Sequence, residues 1–406
     1  MQRISYADIE TIIKREFSQY PAEVVDLVDA IGRIASEDVI SPSELPPFDV
    51  SEKDGYAVNH KSILHAKKIS PVTLKVSQSV KPGSKPHRLQ PGTCARIYTG
   101  AWVPEGADSV VMQEDAIETA EGIVFVSPIK PGSNIFRKGT DIKRGTRLMT
   151  KGDIFRPYEF NLLSSLGVTK VKVSPRLKVA ILSTGSELVT LTERNVNGKI
   201  PDTNKPVLMH ILDETGFQPI DAGIAPDDLD VISNQIKKFA ETCNAVIVTG
   251  GSSVGGFDLT EASLEKLNAK MLFHGVKMRP SSTAGVASLY GKPVFLLSGL
   301  IQSSVVAMFL IVIPALRYIQ GLYFRSLNNV EARMTRSLTV DLPHDFVRSI
   351  WVTVKARQGI LEAEPILASS HARNVLVRSN GIMLIEGGKN LQKGELVKIN
   401  IINKLA

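Results

Sequence analysis

Apolar and polar positions follow different periods in different parts of the chain, and the middle third shows the clearest pattern. Between residues 175 and 322, short apolar runs of strand length alternate with segments of helical period. This alternation favours a mostly parallel, doubly wound sheet. We predict strands over 177–182, 219–224, 245–248, 271–276 and 293–297, and helices over 207–214, 229–242, 259–267 and 303–318.

The flanking regions have a different texture. Residues 41–131 carry short β-rich runs punctuated by Gly and Pro, which is typical of a small all-β module of tight turns. The chain after residue 324 is β-rich again and predicts a small C-terminal β domain. Helices are expected near the N-terminus, one capped by Ser5 and a second over 24–31, and again over 157–166.

Charge and composition narrow the class of protein. The 406 residues carry a net charge of +7, but the basic residues are scattered and form no dense tract, so we expect no nucleic-acid partner. The most apolar stretch, 305–316, is shorter than the roughly 20 residues of a membrane span and contains Pro314, which favours a buried helix and no membrane. Two cysteines without a partner motif and no visible signal peptide favour the cytoplasm.

Three polar, glycine-containing loops follow predicted strands of the α/β region. Ligands of open α/β sheets bind outside the carboxyl ends of the strands, where such loops offer backbone N–H groups and small hydroxyls to an anion. Each loop alone is also compatible with an ordinary turn, but three on one edge favour a phosphorylated ligand. The loops are Ser183–Glu187, residues 249–255 and Ser298-Gly299.

Charged residues accompany these loops. Glu187 and Asp258 follow the first and second loop, where carboxylates suit Mg²⁺ beside phosphate but equally suit the first turn of a helix. For Asp227 and Asp228 a helix cap is favoured. Lys277 and Arg279, after the strand 271–276, could hold an oxyanion or simply be solvated.

Motifs in the right order along essentially the whole chain resemble one family, the molybdopterin molybdenumtransferases of the MoeA and gephyrin E-domain type. The segment 46–58 resembles the family's PPFDNSAMDGYAV, and 99–114 resembles TGAxxPxGADAVVxxE. Residues 132–141 resemble GxNIRxxGxD, 183–188 resemble STGDEL, and 198–204 resemble GxIxDSN. Residues 250–258 match GGxSVGxxD.

The resemblance implies a four-domain fold and a homodimer. It comprises a helical, linking domain (1–40 and 137–174), an inserted β-roll (41–136), a doubly wound, MogA-like α/β domain (175–323) and a C-terminal β-barrel-like domain (324–406). Each site of the homodimer is expected in a cleft between the α/β domain of one subunit and the helical and β-roll segments of the other. The adenylyltransferase that makes the substrate and molybdoenzyme acceptors are candidate partners.

The reaction that the resemblance implies is insertion of molybdate into adenylated molybdopterin, with Mg²⁺-dependent release of AMP. Glu187 and Asp258 would orient metal and phosphate, while Asp54 and Asp141 would position molybdate, its water or the metal. The remaining expected site residues bind the ligand. They are Thr184, Gly185, Gly250, Gly251, Ser253, Gly255, Lys277, Arg279, Ser298 and Gly299.

Two ligand loops depart from the family pattern. Where the family has Pro-Gly-Lys-Pro, this chain has Pro280-Ser281-Ser282-Thr283, so Ser282 replaces a lysine. Where the family has Leu-Pro-Gly-Asn-Pro-Val-Ser, this chain has residues 297–303, and Leu300 replaces an amide. Three hypotheses follow: an active transferase, a weakened paralogue that binds pterin or acts as a scaffold, and an adenylyltransferase of the related single-domain family. The third is disfavoured because the extra domains belong to the insertion enzyme.

Overall fold

A computed structural model describes residues 3–193, 198–250, 259–324, 329–369 and 371–403. The helices of the described residues are α1 (Asp8–Glu16), α2 (Pro157–Ser165), α3 (Asn204–Glu214), α4 (Leu229–Thr242), α5 (Leu259–Lys266), α6 (Ile301–Ala307), α7 (Ile313–Ile319) and α8 (Asn374–Arg378). A π-helical segment, Met308–Val312, joins α6 to α7, and 3-10 helices cover Leu27–Ala30, His60–Ile63 and Gln113–Asp115.

The strands are short except in the sheets that carry the cores. They are β1 (Glu23–Asp26), β2 (Val39–Ile40), β3 (Val50–Ser51), β4 (Gly55–Val58), β5 (Val72–Val80), β6 (Thr93–Ile97), β7 (Ser109–Met112), β8 (Ala116–Thr119), β9 (Gly122–Phe125), β10 (Ile135–Phe136), β11 (Arg147–Met149), β12 (Lys170–Val173), β13 (Lys178–Thr184), β14 (Leu188–Val189), β15 (Ile200–Pro201), β16 (Gln218–Ala225), β17 (Ala245–Thr249), β18 (Lys270–His274), β19 (Met278–Arg279), β20 (Gly285–Leu289), β21 (Lys292–Leu297), β22 (Asn329–Met334), β23 (Leu338–Thr339), β24 (Val347–Arg357), β25 (Ile360–Ile366), β26 (Gly381–Glu386), β27 (Asn390–Leu391) and β28 (Leu396–Ile401).

The chain forms two compact units, and the larger contains residues 1–24, 32–36 and 172–406. Its first sheet has the strand order β16-β13-β17-β21-β20-β18, in which the first four strands are parallel and β20 is antiparallel to both neighbours. Alternate residues of β13 face opposite sides: Val179 and Ile181 pack in the core with α3 and α6, while Ala180 and Leu182 pack with α4. Helices therefore cover both faces, which confirms the doubly wound α/β prediction.

The C-terminal part of the larger unit is a closed barrel. Strands β24, β25, β22, β28 and β26 pair in that order, and β26 pairs again with β24. Strand β19 of the α/β region pairs in parallel with β24, so Met278 and Arg279 lie beside Val347 and Arg348. The expected β-barrel-like domain is confirmed, and this pairing attaches it to the α/β region.

The smaller unit contains residues 25–31 and 37–171 and is built on a six-stranded sheet, β7-β4-β6-β5-β9-β8. Both faces of β4 are buried: Tyr56 and Val58 belong to one apolar cluster and Ala57 to the other. The first residue of β4 is Gly55, and this position requires glycine because a Cβ there would lie 2.0 Å from the carbonyl oxygen of Val111. The six-stranded sheet lies within the residues 41–136 predicted for the inserted β-roll, and the same unit also contains helix α2.

Two N-terminal predictions were wrong. The expected helix over 24–31 is strand β1 followed by a 3-10 helix, because Val24 and Val28 face solvent at 62% exposure and leave no apolar helical face to bury. Ser5 does not cap the first helix: its hydroxyl accepts a hydrogen bond from the N–H of Ala7, and α1 begins only at Asp8.

The predicted buried helix over 303–318 is confirmed, with longer bounds. Ile301–Ile319 is one continuous helix that is long and apolar enough to cross a membrane, but 83% of its most apolar window is buried inside the protein. Leu310 and Leu316 lie in the largest core cluster of the described chain, together with Ile9 and Ile13 of α1. The helix is therefore a core element of the α/β region.

Candidate functional site

The three predicted loops meet at the carboxyl edge of the parallel sheet. Strands β13, β17 and β21 are neighbours and end at Thr184, Thr249 and Leu297. A cavity of about 630 Å³ opens between the loops that follow them. Its described lining residues are Thr184, Gly185, Glu187, Leu188, Ile200, Pro201, Asp202, Thr203, Asn204, Asp227, Thr249, Gly250, Ser298, Gly299, Leu300, Ile301, His371 and Arg373.

Close backbone contacts fix the first two loops against each other. The hydroxyl of Thr184 donates to the carbonyl of Thr249 at 3.3 Å, and the N–H of Gly250 donates to the carbonyl of Leu297 at 3.2 Å. Gly250 has a φ of +99°, and a Cβ there would lie 2.3 Å from the carbonyl oxygen of Thr184. Only glycine fits this position, so the backbone of residue 250 lies directly against that of Thr184 at the cavity.

Carboxylates contribute to the lining of the cavity. Glu187 and Asp227 are both lining residues, whereas Asp228 caps α4 by accepting from the N–H groups of Asp230 and Val231 at 2.9 Å. Asp227 accepts instead from the N–H of Ser186 at 2.9 Å, and its own N–H donates to the hydroxyl of Ser186. The structure thus divides the two aspartates: Asp228 is the predicted cap, and Asp227 faces the cavity.

A buried polar network supports the first loop. Asp202 is 6% exposed and accepts from the hydroxyl of Ser183 at 2.6 Å. The Lys205 ammonium lies 3.8 Å from Asp202 and 2.7 Å from Asp221. Burial raises the pKa of Asp221, but hydrogen bonds from Lys205 and Gly223 outweigh it and leave that pKa below its ordinary value. The N–H of Asp202 also donates to the carbonyl of Val189 in β14 at 2.9 Å, which connects the network to the strand that follows the first loop.

Sequence reasoning missed several lining residues. Asp202, Thr203 and Asn204 were read as part of a motif without a site role, although the amide of Asn204 donates to the carbonyl of Gly299 at 2.6 Å. The match of residues 198–204 to the family motif was a signal that could have found them. His371 and Arg373 come from the C-terminal domain, and no local pattern singles them out.

The altered loops contact each other. The bond Arg279–Pro280 is cis, and Ser281 is 3% exposed with a φ of +81°. The N–H of Ser281 donates to the hydroxyl of Ser303 at 3.0 Å, and the hydroxyl of Ser281 donates to the carbonyl of Ser303 at 2.5 Å. Hydrogen bonds between the two altered segments therefore hold a conformation that glycine usually adopts.

The predicted cations do not line the first cavity. Arg279 and Ser282 line a second cavity of about 470 Å³, which also contains Arg348 and shares Leu300 with the first. The ammonium of Lys277 lies 2.7 Å from the carboxylate of Asp345. Among the described residues, Lys277 lines neither cavity.

Asp54 and Asp141 lie in the smaller unit, and both are exposed. Asp54 accepts from the N–H of Thr99 at 2.7 Å and from its hydroxyl at 2.9 Å. These two bonds, the backbone one first, hold the pKa of Asp54 below its ordinary value. Asp54 is therefore a fixed, ionised carboxylate. The N–H of Asp141 donates to the carbonyl of Leu45 at 3.1 Å.

Four predicted site residues, Gly251, Ser253, Gly255 and Asp258, lie outside the described residues. Within the described ranges, no group of three or more His, Cys, Asp or Glu side chains is placed to hold a metal ion. Glu187, Asp202 and Asp227 nevertheless all line one cavity, although Asp202 is already bonded to the hydroxyl of Ser183. Hard oxygen ligands of this kind suit Mg²⁺, which usually binds through one or two carboxylates together with substrate phosphates.

Comparison with known proteins covers nearly the whole chain. Three family models match: the MoeA N-terminal region (domain I and II) over residues 4–167, a probable molybdopterin binding domain over 180–318, and the MoeA C-terminal region (domain IV) over 331–402.

Relatives of full length agree with these matches. A molybdopterin molybdenumtransferase of Haemophilus influenzae is 32% identical over 94% of this chain and 94% of its own length. A molybdopterin molybdenumtransferase of Bacillus subtilis is 32% identical over 95% of this chain and 91% of its own. The crystal structure of a molybdopterin biosynthesis MoeA protein from Pyrococcus horikoshii superposes with a TM-score of 0.84 and 31% identity, covering 99% of this chain and 100% of that one.

Proposed function

This chain belongs to the MoeA family of molybdenum cofactor biosynthesis proteins, and on that premise we propose that it inserts molybdate into adenylated molybdopterin with Mg²⁺-dependent release of AMP. The observation that supports this most is the convergence of three strand-end loops on one cavity that carboxylates also line. Such a cavity offers backbone N–H groups to phosphates and oxygen ligands to a divalent cation.

Each group has a distinct task in this proposal. Thr184, Gly185, Gly250, Ser298 and Gly299 line the cavity and cradle the phosphates and pterin of the substrate, together with Gly251, Ser253 and Gly255 of the second loop. Arg279, which lines the second cavity beside Leu300, would hold the oxyanion of molybdate, whereas Lys277 is paired with Asp345 and receives no ligand role. Cleavage is a hydrolysis: water attacks one phosphorus of the phosphoanhydride, the bridging oxygen leaves with the other phosphate, and AMP is one product.

Glu187 and Asp258 would hold Mg²⁺, with Asp227 available from the same cavity. The bound ion would neutralise charge on the two anions that the reaction brings together. The same carboxylates would orient the substrate phosphate. Asp202 keeps the first loop in place by accepting the hydrogen bond of the Ser183 hydroxyl.

Asp54 and Asp141 complete the site from a second subunit in this proposal, as the family resemblance implies. Their carboxylates would position molybdate or its water. The assembly proposed is a cytoplasmic homodimer with two composite sites, each combining the α/β cavity of one chain with Asp54 and Asp141 of the other.

Release of AMP tests the proposal. Purified protein is incubated with adenylated molybdopterin, molybdate and Mg²⁺, and AMP is quantified by chromatography. We expect Glu187→Gln to reduce AMP release by at least about tenfold, since it removes a charge-assisted contact of about 1.5–3 kcal/mol. Glu265→Gln is the matched control, because Glu265 is an exposed carboxylate of α5 outside the cavity lining. Equal rates in both variants would refute the role of Glu187.

A second candidate function rests on the altered loops. Ser282 and Leu300 stand where the family pattern has a cation and an amide, and both line the second cavity. A paralogue that binds the pterin adenylate but converts it slowly would show this pattern. Saturable binding of adenylated molybdopterin without AMP release would favour that function over the transferase.

A further inference from the structure

The C-terminal domain contributes an arginine to the lining of the α/β cavity. His371 and Arg373 are both lining residues of this cavity, and neither belongs to a motif predicted from the sequence. They follow β25, which pairs with β24 in the barrel. The guanidinium of Arg373 donates to the hydroxyl of Thr203 at 3.3 Å, and Thr203 is itself a lining residue. Among the described residues, no carboxylate forms an ion pair with Arg373, so its charge remains available to a ligand.

The buried side-chain amide of Gln302 holds the chain just before Arg373. Gln302 is 2% exposed and lies in the first turn of α6, two residues after Leu300 of the third loop. Its Nε2 donates to the carbonyls of Ser369 at 2.7 Å and of Ala372. Its Oε1 accepts from the indole N–H of Trp351 at 3.1 Å. We call these three contacts the Gln302 clasp.

The clasp satisfies both ends of the amide. A primary amide offers two N–H donors, and here both reach carbonyls of one turn, while the oxygen is held by an indole. Buried networks that are fully satisfied hold a unique geometry, whereas a partly satisfied one is costly. Because Ala372 directly precedes Arg373, the clasp fixes the backbone from which Arg373 reaches the cavity.

Gln302 and Ser282 both depart from the family patterns. The family pattern Leu-Pro-Gly-Asn-Pro-Val-Ser has valine where this chain has Gln302, and the separate family pattern Pro-Gly-Lys-Pro has lysine where this chain has Ser282. Arg373 is the one arginine or lysine among the described lining residues of the first cavity, which Glu187 and Asp227 also line. A planar guanidinium can bind two oxygens of a phosphate at once.

We propose that Arg373 is a phosphate-binding residue of the α/β cavity and that Gln302 is the positioning residue that holds it there. The ligand is a phosphate monoester or diphosphate, as in the nucleotide half of the adenylated substrate. This inference rests on the proposed function, and it assigns to the C-terminal domain a direct contact with the substrate. Arg373 thereby supplies a cation to a chain in which the family lysine is Ser282.

Affinity for AMP tests the role of Arg373. Isothermal titration of AMP is performed on the full chain, its Arg373→Ala and Arg373→Lys variants, and Arg378→Ala as the control. Arg373 is the N-cap residue of helix α8, and Arg378 is an exposed arginine at the other end of that helix. Arg378 does not line the cavity. We expect Arg373→Ala to weaken binding about ten- to hundredfold, Arg373→Lys to restore part of it, and Arg378→Ala to leave it unchanged.

Gln302 is tested by a double-mutant cycle. Gln302→Ala is expected to weaken AMP binding in the parent but to add nothing in the Arg373→Ala background, because it acts through that side chain. In a Trp102→Phe background Trp351 is the sole tryptophan, so its emission reports the clasp. The emission is expected to shift in Gln302→Ala and to stay constant in Arg373→Ala.

The outcomes separate this inference from the proposed function. A parent that binds AMP equally well as Arg373→Ala overturns the inference and leaves the proposed function standing. Additive losses from Gln302→Ala and Arg373→Ala overturn the positioning role of Gln302. A folded parent that binds neither AMP nor adenylated molybdopterin overturns the proposed function, and the inference with it.

Discussion

Ser281 shows how one side chain can hold a backbone conformation that is unfavourable for it. Its φ of +81° lies in the left-handed region, which costs a non-glycine residue roughly 1–2 kcal/mol. Two hydrogen bonds to Ser303, together worth about 1–3 kcal/mol, offset that cost. The replacement of the family's glycine is therefore compatible with the fold, because Ser303 lies beside it.

At residue 281 a glycine variant should be more stable to unfolding than an alanine variant, which is the reverse of the usual order. Both variants lose the hydroxyl contact, but only Ser281→Gly relieves the backbone, so it should be more stable than Ser281→Ala by about 1 kcal/mol. Urea denaturation of the two proteins measures the difference. At the neighbouring Ser282, which has no positive φ, alanine should be the more stable of the two. The same order at both positions would contradict this account of Ser281.

The pKa of Asp54 should depend on Thr99. The folded-state pKa lies below the ordinary value of about 3.9 because Thr99 donates two hydrogen bonds to the carboxylate. The stabilisation is therefore present above the unfolded-state pKa and is lost as the pH falls through the folded-state pKa. Asp54 is thus ionised at neutral pH and does not serve as a proton donor there.

Carbon-13 NMR of labelled aspartates measures this pKa directly. Thr99→Val removes the hydroxyl bond and keeps the backbone bond, so the pKa of Asp54 should rise part of the way to its ordinary value. Asp38 is the internal control, because its pKa is lowered by the backbone N–H of Lys151 and not by Thr99. An unchanged Asp54 titration in Thr99→Val would show that the hydroxyl has no influence.

At the scale of elements, the carboxyl edge of the sheet could be predicted and the contacts across it could not. Parallel strands place their following loops at one edge, so Ser183–Glu187, Gly250 and Ser298-Gly299 were expected together and are found together. His371 and Arg373 depend on how the barrel packs against the α/β sheet, through β19 and β24, and no local period reveals that. The prediction of a helix over 24–31 was wrong for a related reason, because apolar spacing alone does not show which face is buried.

The two altered segments, 279–283 and 297–303, are joined by the hydrogen bond between Ser281 and Ser303. Restoring the family lysine there, by Ser282→Lys, should raise affinity or rate by about one to two powers of ten, the value of a charge-assisted contact of roughly 1.5–3 kcal/mol. Adding Ser298→Pro, Leu300→Asn and Ile301→Pro, with Ser281→Gly and Thr283→Pro, restores the remaining pattern.

AMP release by these variants is compared with the parent at equal folded concentration. Ser337→Lys, which places a lysine on an exposed turn outside both cavities, is the matched control for added charge. Rates for Ser282→Lys no higher than those for Ser337→Lys would show that Arg279 and Arg348 already suffice in the second cavity.

At the scale of the whole molecule, the proposal of composite sites predicts complementation between subunits. Asp54→Ala and Glu187→Ala should each abolish turnover alone. A homodimer formed from one chain of each kind keeps one site with both residues intact, so an equal mixture after subunit exchange should recover about a quarter of the parent rate. Light scattering on the same samples gives the mass. No recovery on mixing, with dimers present, would place Asp54 and Glu187 in the same chain's site or outside it.

The central claim is that this chain couples cleavage of adenylated molybdopterin to insertion of molybdate, and in vitro cofactor formation tests it most directly. Purified protein receives adenylated molybdopterin, Mg²⁺ and molybdate, and both AMP and active cofactor, measured by reconstitution of an apo-molybdoenzyme, are followed in time. We expect AMP and cofactor to form in equal amounts, both to require Mg²⁺, and both to be lost in Glu187→Ala. A folded protein that binds the adenylate and yields neither AMP nor cofactor at any molybdate concentration would contradict the claim.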